Sequence, residues 1–377
     1  MIYLDNAATT HPKPNGVYSE VYNCMKNYSA NPGRSSHDMA LKASEKILET
    51  RQLLSNMFGV ENPLNMIFTC NATEGLNIGI KGVLKSNDHA ISTIIEHNSV
   101  LRPLKSLNKN GVELTLLGVD DNGYVNLNDI KSEIKKNTKA IIINHASNVI
   151  GSIQNIEEIG SIAKENNIIF IVDASQSAGL IPIDVEICNI DILAFPGHKG
   201  LYGPQGTGAL YIKEGLKMSN FKEGGTGSDS KSTLQPEYMP DKYESGTLNT
   251  PAIAGLCEGL KFINRIGIEC IRTHEEDLIT YLYEKLSKLP YIKIYGESTY
   301  KNRCPVLSFN IDGVDSSMVG YLLNKKGIAI RTGYHCAPLI HDMLGTSNIG
   351  TARISVGYFN TLEEIEYTVQ AIKDIFI

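Results

Sequence analysis

A chain of 377 residues is long enough for one large domain and a smaller one, each with its own core. Its 42% hydrophobic and 20% charged residues are those of an ordinary globular protein, and a net charge of −6 argues against nucleic acid as a main partner. No apolar run approaches a membrane span, MIYLDNAATTHPKP lacks an export signal, and the seven scattered cysteines suit free thiols, so a cytoplasmic protein is expected, away from any membrane, without a disulfide framework or zinc site.

From about residue 65 to 215, short apolar, β-branched runs alternate with amphipathic stretches. MIFTC (66–70) reads as the first strand. It gives way to a helix through Ala72, Thr73 and Glu74, whose free N–H groups, with the Thr73 hydroxyl, suit a phosphate. Ordinary N-capping by Asn71 or Thr73 explains that segment equally well. HAISTII (89–95) is followed by His97 in EHNS, an imidazole able to stack on a ring and move protons, or else a structural histidine. VELTLLGV (112–119) and KAIIINHA (139–146) come next, with Asn148 just beyond. IEEIGSIAKENN (156–167) is helical, and IIFIVDA (168–174) is a strand ending in Asp173, with Gln176 after it. Asn148 and Gln176 are either amide ligands or turn formers.

DILAFP (191–196) leads into the glycine-rich 197-GHKGLYGPQGTG-208, carrying His198 and Lys199, and GALYI (208–212) is a further strand. A strand-end lysine is suited to forming an imine with a carbonyl cofactor, and an aspartate on the adjacent strand to pairing with a pyridinium nitrogen. Taken singly, Asp173 is a cap or turn residue and Lys199 a solvated loop lysine. Strands alternating with helices indicate an α/β fold with a mostly parallel central sheet covered by helices, in which ligands collect at the carboxyl ends of strands. After Pro251 the texture changes. One long helical region (252–289) leads into strands near 291–295, 306–311, 328–332 and 352–357 and a helix near 361–376. This reads as an arm (1–15), a large domain (16–250) and a smaller α+β domain (251–377).

These segments resemble the class V aminotransferase group of fold-type I pyridoxal-phosphate enzymes, in particular the cysteine desulfurase and selenocysteine lyase family. The match runs through YLDNAATT (3–10), NATEGLN, EHNS, HASNVIG, VDASQSAG, GHKGLYGP, YESGTLNTP (243–251), RTGYHCAP (331–338) and TARISVGYFN (351–360), nearly the whole chain in the family's order. The resemblance implies pyridoxal 5′-phosphate held as a Schiff base by Lys199, with Asp173 on the pyridinium nitrogen and His97 stacked on the ring. It puts Gln176 near the ring oxygen, Asn148 near the substrate, and Thr73 and His198 on the phosphate beside Ala72. Thr247 would reach a neighbouring subunit's phosphate, making a homodimer the expected assembly. Cys336, otherwise one more structural cysteine, would take sulfur from L-cysteine as a persulfide, leaving L-alanine and passing sulfur to an acceptor protein. Arg353 would clamp the substrate carboxylate, with Arg331 as helper or as a surface ion pair.

The pattern also departs from the family's. Pro196 stands where relatives often carry a hydroxyl, Gly200 is an extra glycine after the lysine, and 224–246 is unlike the commoner desulfurases. Tyr334 and Pro338 keep only part of the usual cysteine-loop pattern. These differences leave open selenocysteine as substrate, or another lyase or aminotransferase-like reaction of the same fold. A non-catalytic phosphate or nucleotide module built on GPQGTG (203–208) is the remote alternative, since those glycines precede a strand, whereas nucleotide motifs open a helix.

Overall fold

The computed structural model describes residues 1–33, 37–229, 231–297 and 303–376. Ser230, inside the unusual 224–246 segment, lies outside the described residues. A seven-stranded sheet forms the centre, in the order Met66–Thr69, Gly208–Ile212, Ile192–Pro196, Ile169–Asp173, Thr138–Asn144, His89–Thr93 and Glu113–Leu117. The last five strands in that order run parallel, and Gly208–Ile212 is antiparallel to both its neighbours. GALYI is thus not part of the parallel run that its apolar character suggests. Burial on both faces makes every residue apolar in either orientation, so composition does not distinguish the two.

The alternation along these strands explains why they are apolar throughout. Ile141, Ile143, Phe170 and Val172 enter one core, while Ala140, Ile142, Ile171 and Ile192 enter another on the opposite face. Helices cover both: Ala72–Val83 and Asn98–Lys109 pack on the second core, and Ile156–Glu165 on the first.

The region expected as one long helix is two, Thr250–Ile266 and Ile268–Leu286. Gly267, at φ 91°, ends the first helix, and this left-handed conformation suits a residue without a Cβ. The first of the pair packs on Asn15–Asn27 and Asp38–Phe58, and its Leu256, Leu260 and Ile263 join the large sheet's core. The second helps bury an antiparallel sheet in the order Arg331–Gly333, Thr351–Ser355, Val306–Ile311 and Ile292–Tyr295. The strand expected at 328–332 is split. Ile328–Ala329 pairs instead with Ile2–Tyr3, and Arg331–Gly333 with Thr351–Ser355. No described helix is long and apolar enough to cross a membrane.

Candidate active site

Parallel neighbours put Asn144 level with Asp173, and Asp173 level with Ala194, at one end of the large sheet. The loops leaving these ends enclose a cavity of about 160 Å³. Its wall includes Ala72, Thr73, His97, Asn148, Asp173, Gln176, His198 and Lys199, eight of the residues singled out from sequence, together with Pro196.

Asp173 is only 1% exposed, and its Oδ1 accepts hydrogen bonds from the Ser175 amide at 2.9 Å and from the Ser175 hydroxyl. Burial lowers the Lys199 amine to about 8. Asp173 opposes that shift, while the positive charges of Arg353 and Arg331 add to it. An amine titrating there can gain and lose a proton near neutrality.

The strand-to-helix turn at residues 70–74 is closed by two side-chain hydrogen bonds, an N-cap and a bond reaching back one residue before it. Asn71 Oδ1 accepts from the Glu74 amide at 2.9 Å, and Glu74 Oε2 from the Cys70 amide at 2.6 Å. Thr73 is therefore free of capping, and its hydroxyl meets Ser99 Oγ at 2.7 Å. His97 caps the next helix, its Nδ1 accepting from the Ser99 amide at 3.0 Å and lying 2.9 Å from Ser99 Oγ. That bond leaves the ring proton to Nε2. Burial drives His97 down to about 4, so the imidazole is neutral at pH 7. His198 is likewise pushed to about 4, by burial and then by the charges of Lys199 and Lys13.

Cys336, Arg331 and Arg353 approach from the small sheet and do not form the cavity wall. Arg331 Nη2 lies 3.2 Å from Cys336 Sγ, so the thiol sulfur sits against a guanidinium. Arg353 is 1% exposed; Nη1 donates to the Asn148 carbonyl at 2.9 Å and Nη2 to Asp5 Oδ1 at 2.7 Å. Asn148 Nδ2 donates to the His335 carbonyl at 2.6 Å, joining the cavity to the cysteine loop. Thr247 stands apart, in a second cavity with Asn31, Thr226 and Glu244. Ser99, Ser175 and Asp5 complete the site without having been singled out. Ser99 and Asp5 lie inside EHNS and YLDNAATT, but only their neighbours in space reveal what they hold.

The match to the aminotransferase class-V model spans residues 2–368. The chain belongs to the aminotransferase class-V family. A probable cysteine desulfurase of Borreliella burgdorferi is 35% identical, covering all of this chain and 92% of that protein. One of Methanothermobacter thermautotrophicus is 34% identical over 99% of this chain and 94% of its own length. Among solved structures, the apo cysteine desulfurase of Thermococcus onnurineus NA1 superposes with a TM-score of 0.94 at 34% identity, covering 99% of this chain and 94% of that one. The class-V fold is thus shared over essentially the full length.

Proposed function

We propose that this class-V protein is a pyridoxal-phosphate-dependent cysteine desulfurase that converts L-cysteine to L-alanine and carries the sulfur as a persulfide on Cys336. The observation that carries the reading is the meeting of Lys199, Asp173 and His97 at one cavity, whose Asn148 is hydrogen-bonded to the loop that bears Cys336. The relatives named as desulfurases support it.

The cavity suits the cofactor. Ala72 and Thr73 stand at the start of a helix, where N–H groups lack partners within the helix, and His198 Nδ1 and Asn148 Oδ1 are buried without a hydrogen-bond partner among the described residues. A phosphate and a polar aromatic ring would satisfy such groups. Lys199 would hold the cofactor covalently, Asp173 its ring nitrogen, His97 its face and Gln176 its ring oxygen. Thr73 and His198 would hold the phosphate, and Thr247 that of a partner subunit in a homodimer. When bound, pyridoxal phosphate withdraws electron density from the substrate's α-carbon.

The chain's own residues do the rest. Arg353 binds the α-carboxylate with N–H groups left over from Asp5 and Asn148, and Asn148 lies beside it. Lys199 Nζ takes and returns protons at the α-carbon. Cys336 Sγ, beside Arg331, attacks the substrate sulfur. A sulfur–sulfur bond forms, the substrate's carbon–sulfur bond breaks, and its electron pair stays on carbon, which is protonated to give alanine. The persulfide then waits for a thiol acceptor.

Two measurements test this. Purified protein should absorb in the visible, and Lys199→Ala should lose that band. Cys336→Ala should keep the band and lose alanine formation from cysteine; unchanged formation would remove the persulfide step, and release from selenocysteine alone would make the protein a lyase of that substrate.

A further inference from the structure

We infer that Asp5 is a positioning residue for substrate recognition: its carboxylate holds the Arg353 guanidinium so that the remaining N–H groups meet the α-carboxylate of an amino-acid substrate. The inference rests on the reading above that Arg353 takes that carboxylate.

Arg353 is buried on the strand Thr351–Ser355, and an unpaired guanidinium there would carry a large desolvation penalty. Burial does depress its proton affinity, and among the groups acting on it Asp5 restores it by charge and by hydrogen bond, whereas Arg331 opposes. Asp5 reaches it through backbone pairing. Ile2 and Tyr3 lie alongside Ile328 and Ala329, Leu4 enters the small-domain core, and Asp5 forms a parallel bridge with Ser355, two residues beyond Arg353. The Ser355 amide donates to the Leu4 carbonyl at 2.9 Å, and Ser355 Oγ accepts from the Ala7 amide at 2.9 Å. The carboxylate is therefore placed by main chain and does not depend on a mobile side chain finding its partner.

A guanidinium has five N–H donors. Here Asp5 and the Asn148 carbonyl each take one, and Nε is buried with no acceptor among the described residues. Two partners at different nitrogens fix the plane of the group, while the donors left over are those a second carboxylate would need. A supporting partner that orients a ligand-binding side chain strengthens binding without touching the ligand. Asp5 is 21% exposed at its side chain and binds through one oxygen, so it orients Arg353 without enclosing it.

The test uses the intact protein with its cofactor and the variants Asp5→Asn, which keeps shape and removes charge, and Asp5→Glu, which keeps charge. For alanine formation from cysteine, Asp5→Asn should raise KM about tenfold with kcat within about twofold, and Asp5→Glu should recover part of the loss. By calorimetry, 3-mercaptopropionate, which has the carboxylate, should bind about tenfold more weakly to Asp5→Asn, while cysteamine, which lacks it, should be unaffected. An unchanged or lowered KM, a fall confined to kcat, or equal weakening of both ligands would overturn the assignment. The calorimetric comparison needs no turnover. Asp5-dependent carboxylate binding in a protein that makes no alanine would overturn the desulfurase reading and uphold the role of Asp5.

Discussion

Lys199 shows how one residue's chemistry is set by its surroundings. Burial is the largest influence on its amine, lowering it to about 8 against the pull of Asp173. Only the neutral amine attacks a carbonyl, so uptake of pyridoxal phosphate by cofactor-free protein should rise with pH through about 8 and then level off. A solvated lysine would keep gaining to about 10.4. Because Asp173 favours the ammonium form, Asp173→Asn should move the midpoint to lower pH. Stopped-flow absorbance across pH 6–10 checks both, and a curve still climbing at pH 10 would show that the amine is not shielded. At Cys336 the backbone itself is unusual. His335 and Cys336 have φ of 50° and 62°, held there by the Asn148 side chain on one carbonyl and the Asn98 amide on the other.

The lysine-bearing loop works as an element because glycines let main chain touch main chain. Gly200, the extra residue of the GHKGLYGP segment, packs where a Cβ would come within 2.4 Å of the Ala178 carbonyl oxygen. Gly179 opposes it at φ 82°, and a Cβ there would meet the Gly200 carbonyl at 2.4 Å. The departure at Gly200 is thus a packing solution between the loop and the turn after Asp173. Gly200→Ala should cost about 1–3 kcal/mol from overpacking. A lowered melting temperature together with weaker cofactor retention would report it, whereas an unchanged melting temperature would show that the loop has room. At this scale the strands were legible because continuous apolar runs need no knowledge of partners. The break at Gly267 was not, because a glycine within helical periodicity is also compatible with an unbroken helix, and the tertiary packing of the two halves decides.

Across the whole molecule, buried acids tie the parts together. Glu275, on the helix Ile268–Leu286, is buried in the part of the core where Tyr202 of the lysine loop and Tyr358 act on its carboxyl. Burial raises it to about 8, and Glu96, whose Oε1 accepts from the Asn144 amide at 3.1 Å, also to about 8. A carboxyl that titrates near 4.3 when unfolded and near 8 when folded keeps extra protons in the native state between those values. Stability from these two groups is therefore full below about pH 4 and falls as pH rises toward 8. Glu275→Gln should remove roughly half of that fall, leaving the share of Glu96. Urea unfolding at pH 5 and pH 8 measures it, and an undiminished fall in the variant would refute the assignment.

Residue order was enough to read the strands of the large sheet, the α/β class and most residues around the cavity, because strand ends in a mostly parallel sheet converge on one edge and the chemistry of Asp173, Lys199 and His97 is carried by residue type. Packing in three dimensions was needed to show that Gly208–Ile212 runs antiparallel, that the 328–332 segment is shared between two sheets, and that Thr247 stands away from the rest. It also decided which groups hold the site: Ser99 between Thr73 and His97, Ser175 on Asp173, Asp5 on Arg353. Those contacts join residues as far apart as 5 and 353. Hydrogen bonds between positions so distant in the chain leave no periodicity or spacing to read, since what sets them is the register of strands against one another.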